Sequence, residues 1–560
     1  MEKFCDIDYM RPDGEALLWK IREATVQLKD SREFETAKAI FWRVQEEMTH
    51  FETMSSLAYV RNTMNTTDTF YEKEMEYLFG MQPKINVEMK KFREVLLASE
   101  FLKDFKEELG ELYIQQIKAE IRLTDVCNVE LQVKESRLKQ EYSKIAATPT
   151  TEFHGEKLNF YGLLKKMQSD DREIRKEAME AWSALYESIS GRLDDIYTEL
   201  MKIRLQMAEN LGFSSYEDMV FLQMGRYTYT QDDLAVFRRQ VCEHVVPLCK
   251  TLFENQRERL GIETLHYYDE SIVFSDGNAM PIGTTKELLE KAGKMYREIS
   301  KETGEFFDFM LEYDLFDLET RSGKQQGGYC TTFPDYKAPF IFSNFNGTDA
   351  DIDVLTHEAG HSFEAYEAMR RISLSEQTFS TSEVAEIHSM SMEFFTYPWM
   401  ELFFGEQAEK YRKSHLWDAL ECIPYMACVD EFQHRVYKEK LFDAMERRSV
   451  WHALEKKYMP WRDYDGNAFL ENGGFWMQKQ HIFMEPFYYI DYALARFGSL
   501  EYYGHMMQDY EGAWNDYYHL CCAGGSKSYP ELLKTGNLSS PLKDGTVKKI
   551  LESIKEYISV

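Results

Sequence analysis

One short stretch of this chain holds the residue types that bind a metal ion and move a proton: His357-Glu358-Ala359-Gly360-His361. On a helix, residues four apart differ by about 40° around the axis, so both imidazoles project from one face within reach of one ion. Neutral imidazole nitrogen suits zinc, and Glu358, on the flank of that face, can take a proton from water activated there. Among the 13 histidines no other pair is four apart. Chance places the full pattern in a chain of this composition roughly 0.03 times. The alternative to a metal is two helical histidines satisfied by ordinary hydrogen bonds.

Catalytic zinc keeps three protein ligands and one open position, so a third ligand must lie elsewhere. Extension of the motif to a third histidine, as in metzincins, is excluded, because Glu364 and Glu367 stand where glycine and histidine are needed. A carboxylate on a second helix remains. Downstream, Ser380 and Glu383 have capping-box spacing, which gives Glu383 to a helix start and leaves Glu386, one turn further in, to face the metal. His388, rotated about 200° from Glu386, is expected to pack or to support a ligand rather than to be one.

These residues need helices to position them, and the chain supplies helices. Ile174, Ala178, Met179, Trp182, Leu185, Tyr186 and Ile189 recur at helical spacing, behind a start at Ser169-Asp170-Asp171 with Glu173 as the capping partner of Asp170. Only 13 prolines and 29 glycines interrupt 560 residues, too few for an all-β chain, so the class is mainly α with two to four subdomains. A break at Ala146–Gly155 divides an N-terminal helical region, 1–150, from a catalytic region, 151–560, and a short hairpin is expected over Phe153–Phe160. Between Gly323 and Asp349, strand-favouring residues broken by turn residues predict a small β ribbon beside the metal-binding helix. Asp463–Gly474 reads as a loop.

Composition narrows the partners. The net charge of −30 disfavours nucleic acid and anionic membranes, and the bland reading of the same charge is solubility. No run approaches the ~20 apolar residues that span a bilayer, and Glu2, Asp6 and Asp8 stand where a signal peptide needs apolar residues, so a cytoplasmic protein is expected. Nine cysteines without a CxxC pair read as reduced thiols, the vicinal Cys521-Cys522 included. Walker A, GxSxG and GxGxxG motifs are absent.

His357-Glu-Ala-Gly-His361, followed 25 residues later by Glu386-Ile387-His388-Ser389, resembles the thimet oligopeptidase and oligoendopeptidase F family of zinc peptidases. The shorter oligoendopeptidase F-like branch, which includes the Pz-peptidases, matches best, over about Phe153 to Gly524. The resemblance implies two mostly helical lobes enclosing a deep substrate channel. It also implies one Zn2+ per chain on His357, His361 and Glu386, with Glu358 as general base. A further family feature is a histidine followed by a tyrosine-rich helix, here His481 to Tyr492, with Glu485 where relatives in the thimet branch have the first tyrosine. By resemblance Tyr489, Tyr492 and His481 are oxyanion-stabilising candidates, with Tyr488 behind them, and aromatic packing is the bland alternative. The ribbon resembles the family's substrate-pairing strand, so Gly327, Gly328 and Tyr329 become substrate-binding candidates. The function implied is a zinc-dependent endopeptidase acting on short unstructured peptides. A zinc carboxypeptidase of helical fold and a non-catalytic helical scaffold are the alternatives.

Overall fold

The computed structural model describes residues 1–558, which are mainly helical with two small sheets. The chain forms two compact units, each assembled from separated segments. Residue 150 falls in the link between the helix Val129–Ala147 and a hairpin of strands β1 (Thr151–Phe153) and β2 (Glu156–Leu158).

The first unit comprises Met1–Thr124, Ala279–Glu409 and Gly498–Ser540. Its N-terminal helices are amphipathic. In Gly14–Asp30, Leu17, Ile21, Ala24 and Leu28 fall on one face and are buried, while Asp13 caps the start by accepting a hydrogen bond from the Ala16 amide. They pack on Phe41 and Val44 of the helix Phe34–Met64 and on Ile85 and Phe92 of the helix Thr69–Ala98.

Three strands lead up to the site: β3 (Phe316–Glu319), β4 (Tyr329–Phe333) and β5 (Ala338–Phe345), in the order β3-β5-β4. The expected ribbon is the antiparallel pair β4 and β5, with Tyr329 opposite Phe342 and Phe333 opposite Ala338. The third strand, β3, runs parallel to β5 and was not anticipated. A central strand covered on both faces reads as an unbroken apolar run, and Ala338 to Phe342 are all buried. The turn after β5 is pinned by Asp351, whose carboxylate accepts from the amides of Asn346 at 2.9 Å and Gly347 at 2.7 Å.

That turn feeds helix α1 (Ala350–Arg371), which packs on helix α2 (Ser382–Phe395). Their crossing is close because Gly360 has no side chain: a Cβ there would lie 2.6 Å from the Ser389 Cα and 2.7 Å from the His388 carbonyl oxygen. The expected Ser380–Glu383 capping box does not form. Thr381 is the cap residue, without a side-chain hydrogen bond, and Glu383 is buried. A helix buried along nearly its whole length is held by packing, so its start does not depend on a cap.

The second unit comprises Asp125–Asn278, Lys410–Phe497 and the segment from Pro541. Its long helix, Arg172–Asn210, buries Ala178, Met179, Trp182 and Leu185 as the spacing predicts, but Asp171 rather than Asp170 caps it, accepting from the Glu173 amide. Helix α3 (Ala408–Lys438) follows. The stretch read as a loop ends in a helical turn, Leu470–Gly474, in which Gly473 has φ +81° and a Cβ would meet the Arg448 carbonyl oxygen at 2.2 Å. Helix α4 (Ile490–Gln508) begins directly after the tyrosine pair Tyr488-Tyr489.

Candidate active site

Helix α1 carries His357 and His361 on one face, their rings 5.0 Å apart and nearly perpendicular. The close crossing at Gly360 brings Glu386 of α2 to them: its Oε2 lies 3.3 Å from His357 Nε2 and 3.6 Å from His361 Nε2. One donor atom from each of the three residues fits within 4.8 Å of the others. Burial opposes charge on Glu386, but the two imidazoles beside it outweigh that and hold the carboxyl far below the usual carboxylate range.

Two residues the sequence reading left without a role shape this group. Glu393 Oε1 lies 2.6 Å from His357 Nδ1, so the proton of a neutral imidazole sits on Nδ1 and Nε2 keeps its lone pair for a metal. Ser389 Oγ lies 3.1 Å from Glu386 Oε2. Glu393 follows Glu386 by two helical turns, which is the signal that could have marked it. His388 is fully buried outside the donor group, and its pKa falls to about 3 through burial and the neighbouring charge of His361.

Glu358 is 8% exposed, and its Oε2 has no hydrogen-bond partner among the described residues. Burial raises its pKa, against the opposing pull of His361 and His357. A carboxylate in this condition is a stronger base than one in water and has an oxygen available to an incoming proton. Gly328 adjoins it: a Cβ there would stand 3.7 Å from Glu358 Oε1 and 3.3 Å from Val354. Gly327 has φ +100° with open space around it. The Tyr329 ring stacks on Phe342 at 4.7 Å, and its hydroxyl lies 2.5 Å from Thr63 Oγ1. Strand β4 is an edge of its sheet.

The remaining candidates gather in the second unit. The His481 ring lies 4.9 Å from Tyr489 and 6.0 Å from both Tyr488 and Tyr492, and Tyr492 is 5.3 Å from Tyr488 and 5.6 Å from Tyr489. Glu485, at the position of the missing tyrosine, is exposed. The segment is shaped by Phe487, a non-glycine residue at φ +65°. Its amide donates to Gln433 Oε1 at 3.0 Å, and its carbonyl accepts from Arg226 Nη2 at 2.7 Å. The same Arg226 nitrogen lies 2.6 Å from Asp491, in an ion pair with no exposed side-chain surface. Lys479 Nζ donates to the Tyr489 hydroxyl at 3.0 Å, which leaves that hydroxyl's own proton available for donation. Burial raises the Tyr489 pKa, so the phenol stays protonated.

The family model described as peptidase family M3 matches residues 166–552, and the M3 N-terminal domain model matches residues 4–124. The chain belongs to peptidase family M3. It is similar to the solved structure of Pz peptidase A with an inhibitor, at 41% identity and a TM-score of 0.94 over 99% of each chain. It is also similar to the oligoendopeptidase F homolog of Borreliella burgdorferi, 23% identical over 383 residues, which cover 65% of this chain and 61% of that one. The chromosomal oligoendopeptidase F of Lactococcus lactis subsp. cremoris is 25% identical over 217 residues, 37% of this chain and 34% of that one. The matched stretches thus span less than two thirds of these curated relatives. Membership in M3 implies zinc and peptide substrates. The donor set fits that metal: two imidazoles, one of them oriented by the Glu393 carboxylate, and the Glu386 carboxylate as third ligand. Among the described residues no helix is long and apolar enough to cross a membrane.

Proposed function

We propose that this M3 protein is a zinc-dependent endopeptidase that hydrolyses internal bonds of short, unstructured peptides. The observation that carries the reading is the convergence of His357, His361 and Glu386 beside a buried Glu358 with an unpartnered oxygen. In this reading the three residues hold one zinc ion per chain. Zinc held there supplies Lewis acidity, lowering the pKa of water and polarising the scissile carbonyl. Glu358 accepts the proton of the attacking water and returns it to the leaving amine, a role suited to its raised pKa. Glu393 keeps His357 in the ligating tautomer.

Tyr489, Tyr492 and His481 donate hydrogen bonds to the oxygen that gains charge as the peptide bond is attacked, and Tyr488 contacts the substrate. Strand β4 pairs with the substrate backbone, with Gly327, Gly328 and Tyr329 at the point of approach; its edge position and the glycine at 328 beside Glu358 support this. Backbone pairing accepts varied side chains, which suits an enzyme of mixed short peptides. We assign 1–150 to an N-terminal helical region and 151–560 to the catalytic region. A cytoplasmic location is supported by the scatter of the nine cysteines, which form no CxxC pair.

The test is cleavage of a mixed peptide library with both termini blocked, with products identified by mass spectrometry and zinc counted per chain. Internal cleavage with one zinc is expected. Cleavage that requires a free C-terminal carboxylate would assign a carboxypeptidase, and inert, zinc-free protein would overturn the enzyme reading.

A further inference from the structure

We propose that a cavity in the second unit is a subsite for a basic side chain, lysine or arginine, of the peptide substrate; this rests on the peptidase reading above. The cavity measures about 420 Å³ and is bounded by the helices Phe160–Lys166 and Val246–Leu260, one face of α3 and the turn Phe475–Gln478. Its size lies within the range of ligand pockets.

Three carboxylates, Glu270, Asp418 and Glu421, line it against one cation, Arg462. The charge of Arg462 is already used: its Nε and Nη2 lie 3.1 and 2.6 Å from the two oxygens of Glu270, and its guanidinium covers the Tyr267 and Phe475 rings. The next cation, Arg259, donates to the Val273 carbonyl at 2.8 Å and stacks on Trp417. Asp418 and Glu421, one turn apart on α3, make no ion pair or hydrogen bond among the described residues. Glu421 is packed on most sides yet reaches the cavity surface. Burial, then Asp418 and Glu270, push its carboxyl well above the usual range, against a weaker pull from Arg259.

A guanidinium or ammonium placed between Asp418 and Glu421 supplies the opposite charge to both carboxylates and hydrogen bonds to the mostly buried Glu421. The aromatic walls at Tyr267, Tyr425 and Phe475 suit the alkyl stem. An acidic side chain is repelled.

The cavity adjoins the proposed chemistry. Tyr425 forms one wall, its hydroxyl accepts from Gln478 Nε2 at 2.6 Å, and its ring meets the edge of Tyr489 at 5.8 Å. A single aromatic ring therefore separates the carboxylates' cavity from a proposed oxyanion donor. Lys479 is committed to the Tyr489 hydroxyl.

The test is a set of internally quenched peptides in which one arginine is walked through the positions around the scissile bond, each paired with its uncharged citrulline analogue. For the wild-type enzyme, kcat/KM at one position should favour arginine by about 10-fold or more, the discrimination that hydrogen bonds to charged groups supply. In the Asp418→Asn, Glu421→Gln double variant the ratio should fall to near one. The ratio is taken within each variant, so losses of stability or overall activity cancel. If the double variant does not fold, Asp418→Asn alone, at an exposed position, should lower the ratio. A wild-type ratio near one at every position, or a ratio the variants leave intact, overturns the subsite while the peptidase reading stands. If no peptide is cleaved, the peptidase reading fails, and calorimetric binding of the same pairs decides the cavity: tighter arginine binding that the variants abolish supports it, and equal affinity overturns it.

Discussion

In the first unit, three donor side chains ride on two regular helices, and their geometry follows from a four-residue spacing plus one close crossing at Gly360. In the second, His481 and the three tyrosines are gathered by a left-handed Phe487 and a buried ion pair between Arg226 and Asp491. The difference teaches where each half is vulnerable. Helical spacing is local and cooperative, so the donor group should be disturbed mainly by changes to its own residues and their direct partners. The tyrosine segment should also fail when a residue far away in sequence is removed.

Six substitutions sharpen or break that contrast. Glu358→Gln should lower kcat by roughly 10²- to 10⁴-fold with zinc content unchanged, since the base disappears while the ligands stay; retained turnover would remove Glu358 from its role. Arg226→Leu should destabilise the fold by about 3–5 kcal/mol in a urea titration, the usual cost of stranding one partner of a buried pair. It should also reduce kcat while leaving zinc bound. If zinc is lost as well, the two regions do not fail separately.

Tyr489→Phe and Tyr492→Phe should each reduce kcat by about 10²-fold with little change in KM, as expected for donors that act mainly in the transition state. A pure KM effect assigns them to substrate binding. Glu393→Gln should weaken zinc affinity by about 10- to 100-fold, measured by competition with a chelator, because His357 loses the carboxylate that fixes its tautomer. Gly360→Ala should cost about 1–3 kcal/mol by forcing α1 off α2, seen as a lowered Tm of the zinc-free protein. An unchanged Tm would mean that the crossing tolerates a methyl group.

His357 and His361 were legible from helical geometry and the need for a third ligand from the coordination number of zinc, whereas Glu386 was preferred to Glu383 on a capping box that does not form. Glu393 was missed although it stands seven residues after Glu386, because an acidic residue on a helix usually faces solvent, and this one is buried against an imidazole. The capping box at Ser380 failed for a related reason. Burial along α2 removed the need for a polar cap, and the helix start moved to Ser382. Strand β3 escaped because a parallel partner is identified by contacts across sequence, whereas β4 and β5 are joined by a short turn. Arg226 and Asp491 lie 265 residues apart, and no local pattern links them. The positive φ of Phe487 is equally invisible, since sequence favours glycine or asparagine at such a position.

The most direct test of the metal centre is a crystal of the purified protein measured on both sides of the zinc absorption edge. The account predicts one anomalous peak per chain, about 2.0–2.2 Å from His357 Nε2, His361 Nε2 and a Glu386 oxygen, the distances expected of zinc with these ligands. A fully occupied peak elsewhere, or none in crystals grown with zinc, would contradict it.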